Sequence, residues 1–184
     1  MEGNHRHIEE AHRKYKAGDP LGAIVLLTQI LAQEEDNKEA LWLRAEVFRN
    51  MGCLKDAETD IDRLLTVTID AEDVLLCKAD LRLAQGDADA AVLYYNKVRE
   101  ANPFQGKAYI GLSTAYTATR RLDLALAVMD EALGRLPDFS EGYKERGRVK
   151  FLLHDQAGAM DDLKRALETS PDAMKALGGK FSNI

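Results

Sequence analysis

Small apolar side chains recur along the chain at a fixed step. Ala23, Ala57, Ala91, Ala125 and Ala159 stand 34 residues apart, with no insertion or deletion between them. A second small row keeps the same step: Ala11, Ala45, Ala79, Ser113 and Gly147. Two bulkier rows run beside them, Leu27, Ile61, Tyr95, Met129 and Leu163, then Ile30, Leu64, Val98, Ala132 and Ala166. Within one step the apolar residues fall at helical spacing, as in Leu41, Ala45 and Phe48, then Ala57, Ile61, Leu64 and Leu65. Each unit therefore reads as two helices. Gly18, Gly52 and Gly86 share a register between the halves, where a helix end takes a left-handed residue most cheaply. Pro103, Pro137 and Pro171 share another and stop the second helix. Small residues at the crossing let two backbones approach, and the bulky rows fill the flanks.

The step divides the chain into units of about 4–37, 38–71, 72–105, 106–139 and 140–173, with 174–184 left over. A stacked repeat buries both faces, whereas a terminal one buries only one. The first helix fits that rule, with Arg6, His7, Glu10 and Lys14 where the second unit has Ala40, Leu41, Arg44 and Phe48. At the other end, Ser170-Pro171-Asp172 reads as a helix start, followed by the apolar Ala173, Met174 and Leu177 and closed by Gly178-Gly179. A short capping helix over the fifth unit is expected there. The remaining tail carries Phe181 and Ile184. It is expected to pack on its own last repeat, with docking on a neighbouring molecule as the alternative.

These residues resemble the tetratricopeptide repeat, a family built on a 34-residue period. The resemblance runs from Asn4 to Ala173 and is fullest in Glu72 to Gln105. Some positions depart from the family pattern. A leucine normally precedes the small residue of the first helix; only Leu112 matches, with Glu10, Arg44, Lys78 and Arg146 in the other units. Arg120 and His154 replace the turn glycine, and Glu35 and Ile69 replace the proline. The resemblance implies an all-α tetratricopeptide solenoid as one domain over 1–184, a right-handed superhelix of five antiparallel helix pairs plus the capping helix.

It also implies that first helices line a concave surface where protein partners bind. Carried onto this chain, one row of that surface is Ile8, Trp42, Leu76, Ile110 and Lys144. A second is His12, Glu46, Asp80, Thr114 and Arg148, and a third is Tyr15, Arg49, Leu83, Thr117 and Phe151. The expected face has an apolar strip around Trp42, Leu76, Leu83 and Ile110, acidic groups at Glu46 and Asp80, and basic ones at Lys144 and Arg148. Trp42, the sole tryptophan, is the expected anchor. Cochaperone arrays of this family grip a terminal carboxylate with Lys and Asn pairs. Ile8 and His12, Trp42 and Leu43, and Leu76 and Cys77 stand in those places, so no such clamp is legible.

Composition narrows the function. The net charge of −6 argues against a phosphate-binding partner, so no nucleic acid is expected. No basic start leads into an apolar core, and the longest apolar run, Leu124 to Met129, is far shorter than the ~20 residues of a membrane span. Cys53 and Cys77 are isolated and read as free thiols of a cytoplasmic protein. His5 and Glu9 share a face of the first helix, but His7 and His12 diverge, and a solvated turn is expected rather than a metal site. Asp60, Asp62, Asp161 and Asp162 read as a charged outer face. Lys78 with Arg82, and Arg146 with Lys150, read as basic pairs reaching over a packed neighbour to its acidic groups. Ser140 and Ser170 read as helix caps. No nucleophile, phosphate loop, zinc or dinucleotide motif occurs, so no enzyme activity and no cofactor are expected. The expected function is a non-catalytic adaptor holding a peptide or helix of a partner. The alternatives are a self-assembling scaffold, through weak self-association of the C-terminal tail, or a small acidic chaperone of the same repeat class.

Overall fold

The computed structural model describes residues 2–68 and 71–170, with side chains from residue 5 onward. The expected capping helix and tail, and Pro171, lie outside the described residues. Contacts divide the chain into two compact units, Met1–Gln85 and Gly86–Ile184, so the boundary falls between the two helices of the third repeat. The first unit holds α1 (Glu2–Lys16), α2 (Pro20–Gln33), α3 (Lys38–Asn50), α4 (Leu54–Val67) and α5 (Glu72–Ala84). The second holds α6 (Ala88–Ala101), α7 (Gly106–Ala118), α8 (Leu122–Arg135), α9 (Ser140–Leu152) and α10 (Gln156–Glu168). No strand occurs among the described residues. Within each unit every helix packs on the next in sequence, and α1 also touches α3 as α7 touches α9.

Helix ends follow the repeat even where the punctuating residue is missing. Gly18, Gly52 and Gly86 take φ values of 84°, 77° and 82°. Arg120 and His154 occupy the same register at φ 60° and 67°. Each satisfies the same turn, with Arg121 N–H donating to Tyr116 O at 2.8 Å and Asp155 N–H to Lys150 O at 2.9 Å, as Asp19 N–H does to Lys14 O. The prolines behave alike. Asn102 and Leu136, which precede Pro103 and Pro137, adopt φ −135° and −125°. Glu34 and Thr68, which precede Glu35 and Ile69, adopt φ −134° and −128°. Packing imposes the exit where proline does not. Because a left-handed residue with a Cβ is strained, Arg120→Gly and His154→Gly are each expected to stabilise the second unit by about 0.5–1 kcal/mol. Urea unfolding of the two variants checks this, and a loss of stability in both contradicts it.

The four rows form the core. Ala23, Ala57, Ala91 and Ala125 are fully buried and Ala159 nearly so. Ala11, Ala45, Ala79 and Ser113 are buried likewise. At Gly147 an added Cβ would lie 3.2 Å from the Ala159 carbonyl, so the two small rows meet at close approach in the last pair. Leu27, Ile61, Tyr95 and Met129 are buried, but Leu163 is 45% exposed. The outer face of α1 is polar as expected, with Arg6, His7 and Glu10 exposed while Ile8 and Ala11 are buried.

Where the family has leucine, this chain places buried ion pairs. Arg44 on α3 donates from Nε to Asp60 Oδ2 at 2.9 Å and from Nη2 to Oδ1 at 2.6 Å, and also reaches Thr28 on α2. Arg146 on α9 repeats this one hundred and two residues on, at 2.8 and 2.6 Å to Asp162, and reaches Asp130 on α8. Lys78, 1% accessible, donates to Glu58 and Asp62 of α4 at 2.7 and 2.6 Å. Arg82 pairs with Glu58, and Lys150 with Asp162. The basic pairs thus reach acidic groups as expected. The outer-face reading of the aspartates is corrected: Asp60 and Asp162 are 2% and 3% accessible, whereas Asp62 and Asp161 are exposed. Asp60 and Asp62 are about 200° apart around their helix and Asp161 and Asp162 about 100°, each enough to turn one carboxylate to the core and leave the other in solvent. Ser140 is also corrected. It is the first residue of α9 rather than its cap, and its buried hydroxyl donates to Ala166 O at 2.8 Å.

Candidate partner-binding faces

In the first unit the expected surface residues come from α1, α3 and α5. Ile8 and Leu76 are 5% and 7% accessible, so both are buried within the expected surface row, and the apolar strip loses Leu76. Ile8 belongs to the hydrophobic core of this unit. Trp42, 36% exposed, remains at the surface. His12 and Asp80 are exposed, while Glu46, Tyr15, Arg49 and Leu83 are half-buried. Arg49 lies 3.7 Å from Asp80, linking α3 to α5, and Asn50 meets the Tyr15 hydroxyl, linking α3 to α1. Cys77 sits half-buried beside this group. Burial pushes its thiol up, Arg49 opposes that, and Asp80 and Glu46 add to it. This face is therefore a tryptophan bordered by carboxylates, with its arginine already engaged.

In the second unit the surface residues come from α7 and α9. Ile110, Thr114 and Thr117 are half-buried on α7. Lys144, Arg148 and Phe151 are exposed on α9, at a spacing that puts them on one helical face. Thr114 turns its hydroxyl back to Ile110 O at 2.9 Å. Arg148 binds both oxygens of Glu145, at 2.8 and 2.7 Å, and touches Thr117 Oγ1 at 3.4 Å across to α7. Ser113 donates to the same Glu145 at 2.7 Å. The Glu145 carboxylate raises Arg148 above its usual value against the opposing effect of burial. Phe151 is 62% exposed. This face presents Phe151 and Lys144, with Arg148 already paired to Glu145.

Ser113, Glu145, Asn50 and Cys77 complete these faces and were not among the expected site residues. Ser113 had a signal, since a hydroxyl in a row of buried small residues needs a partner. Elsewhere in the first unit a depression of about 240 Å³ lies between Leu31, Glu35, Leu41, Arg44, Thr59, Asp60 and Arg63. Its charges neutralise one another, Arg44 with Asp60 and Arg63 with Glu35. His5 and Glu9 lie 3.7 Å apart and exposed. Among the described residues no three His, Cys, Asp or Glu side chains converge as a metal site would require, and no helix is long and apolar enough to cross a membrane.

Comparison with known proteins places these faces in context. The family model described as tetratricopeptide repeat matches residues 8–73 and 77–140. The DnaJ protein P58IPK homolog of Arabidopsis thaliana is 29% identical over 174 residues, covering 84% of this chain and 35% of its own. Hsp70-Hsp90 organizing protein 2 of the same plant is 27% identical over 89 residues, covering 48% of this chain and 16% of its own. The chain thus spans about a third or less of the length of these curated relatives. A solved structure of MamA, residues 41 to the end, from Desulfovibrio magneticus RS-1 superposes with a TM-score of 0.77 at 20% identity, covering 92% of this chain and 96% of that one. At that identity the likeness concerns the fold.

Proposed function

Since the chain belongs to the tetratricopeptide repeat family, we propose that it is a non-catalytic adaptor that holds a peptide or helix of a partner protein on the inner faces of its first helices. The observation that carries this reading is the α7–α9 face, where Lys144, Arg148 and Phe151 are exposed together and Arg148 ties the two helices. A rigid face with an open aromatic and a cation binds without ordering itself, which limits the entropic cost to the ligand. Spaced apolar residues would meet Phe151 or Trp42. Acidic residues would meet Lys144 and Arg148, and basic ones Glu46 and Asp80. Micromolar affinity, roughly −8 kcal/mol, is the ordinary expectation for such a site. The unpaired thiols of Cys53 and Cys77 suit a reducing compartment, and the reading assigns the protein to the cytoplasm.

Calorimetric titration with defined peptides tests the proposal. A peptide with apolar anchors and an acidic stretch is expected to bind, and Trp42→Ala to weaken it by on the order of 2 kcal/mol if the anchor sits on the first unit. Lys144→Glu reports on the second unit in the same way. Unchanged affinity in both variants, with intact helical spectra, rejects these faces. A peptide ending in a free carboxylate after acidic residues is expected to bind weakly, because Trp42, Leu43, Leu76 and Cys77 stand where a lysine and asparagine clamp would be. Tight binding that Lys144→Glu leaves untouched would overturn that expectation and favour a terminal-carboxylate partner.

A further inference from the structure

Leu21, Val25, Thr28 and Ala32 recur along α2 at steps of four, three and four, the spacing of a helix–helix seam. All four are exposed, Leu21 at 65% and Val25 at 56%. At about 100° per residue they fall within about 60° of one another, on the side away from the buried Ala23, Leu27 and Ile30. Helix α2 has no charged residue among its 14. The same four positions in every later repeat include an exposed charge: Lys55 and Asp62 on α4, Asp89 on α6, Asp123 on α8 and Lys164 on α10. Four repeats thus commit this outer stripe to water, and the first does not. Apolar residues scattered singly over a surface are ordinary, whereas a continuous uncharged stripe marks a contact.

We propose that this stripe is the contact of a homodimer, in which α2 of one protomer lies antiparallel on α2 of a second copy. Size and charge both select a second copy. A two-fold contact brings the face onto itself, so Leu21 meets the partner's Ala32 and Val25 meets the partner's Thr28. The bulky end of the stripe then faces the small end, and two β-branched side chains fill the middle. A charge on such a self-paired face would be buried without a counter-charge, and α2 carries none. The hydroxyl in the seam is already satisfied, since Thr28 Oγ1 accepts from Arg44 Nη1 at 3.0 Å. Carboxylates near the ends of the helix are held within the protomer, Asp19 by Lys14 at 3.1 Å and Glu35 by Arg63 at 2.9 Å, which limits repulsion where the ends meet. Antiparallel helices also oppose their dipoles. One pair of helices about 21 Å long covers less than the roughly 800 Å² a side of a standard interface. The dimer is therefore reversible, with a Kd on the order of 100 µM. None of the four residues belongs to the proposed peptide-binding faces, so the dimer and that reading are tested separately.

Sedimentation equilibrium of the full chain, from about 5 µM to about 1 mM, tests the proposal. Val25→Lys sets an unpaired ammonium in the seam and is expected to weaken association about tenfold or more. Leu93→Lys adds the same charge at the matching outer position of α6, which is 66% exposed, and is expected to leave association unchanged. Adding Thr28→Glu to Val25→Lys places lysine opposite glutamate twice in the antiparallel dimer. That double variant is expected to return association to within about threefold of wild type. A parallel pairing would set like charges opposite, so a double variant as weak as Val25→Lys overturns the proposal. A chain that stays monomeric at every concentration overturns it too, as does a dimer that Val25→Lys leaves intact. Flotation with uncharged phosphatidylcholine vesicles supplies the last arm: a monomeric chain that binds vesicles and is released by Val25→Lys assigns the stripe to lipid and overturns the dimer. The substituted side chains are exposed, so the helical spectra of all variants are expected to match wild type.

Discussion

Asp60→Ala and Asp162→Ala are each expected to lower the unfolding free energy of their unit by about 3 kcal/mol. Both carboxylates are nearly inaccessible and each takes two hydrogen bonds from an arginine. Removing one leaves a guanidinium that is only about a fifth exposed without its main counter-charge. The pair itself is worth far less than its breakage, because desolvation offsets most of the attraction. Accordingly the double variant Arg44→Leu with Asp60→Leu, which restores the leucine usual in this family, is expected to recover most of the loss. Urea unfolding of the three proteins decides the matter; a double variant as unstable as Asp60→Ala would show that the pair is needed for more than charge balance. The acid limb adds a second readout. Burial pushes the Asp162 carboxyl up, but hydrogen bonds from Arg146 and Lys150 outweigh it and hold it below the usual value. Its contribution is therefore present above the unfolded carboxylate value near ~3.9 and lost as pH falls through the lower folded one. Glu58, held down chiefly by its hydrogen bond with Lys78, acts in the same direction. Asp162→Asn is expected to flatten the loss of stability below about pH 4.

Tyr95→Ala is expected to cost about 4 kcal/mol in the second unit. Its ring is 1% accessible and lies against Gly111 on α7, where an added Cβ would stand 2.2 Å from ring carbons. Truncation leaves a cavity that the α6–α7 crossing cannot close without moving backbone. The converse change probes the same contact. Gly111→Ala gains about 1 kcal/mol of helix propensity but forces the ring away, so a net loss of about 2 kcal/mol is expected. Tyr95→Leu in the Gly111→Ala background is expected to return part of it. Stability equal to wild type in Gly111→Ala would mean that the ring has room to shift. Far-UV circular dichroism through a urea titration measures all of these.

Arg120 and His154 show how far the reading of the chain carries. Both replace a turn glycine, which left the helix ends there open in the sequence, yet both adopt the left-handed conformation that Gly18, Gly52 and Gly86 take in the same register. The same holds for Glu35 and Ile69, whose helices end where proline would have ended them. By contrast, the exposure of the expected row Ile8, Trp42, Leu76, Ile110 and Lys144 was only partly legible. Equivalent repeat positions do not have equal neighbours, so Ile8 enters a core while Trp42 stays at the surface. Repeat register states which way a side chain leaves its helix, not what stands opposite.

The amino-acid order by itself determined the two helices of each unit and the rows along which neighbours cross. Those features depend on spacing within a unit and on a step of 34, both of which are local and countable. Tertiary structure alone decided that Asp60 and Asp162 are buried while Asp62 and Asp161 are not, that Ile8 and Leu76 are withdrawn from the surface, and that Leu163 is uncovered. Each of those outcomes is set by a partner on another helix, and burial of a charge or an apolar group is a property of the pair, not of the residue.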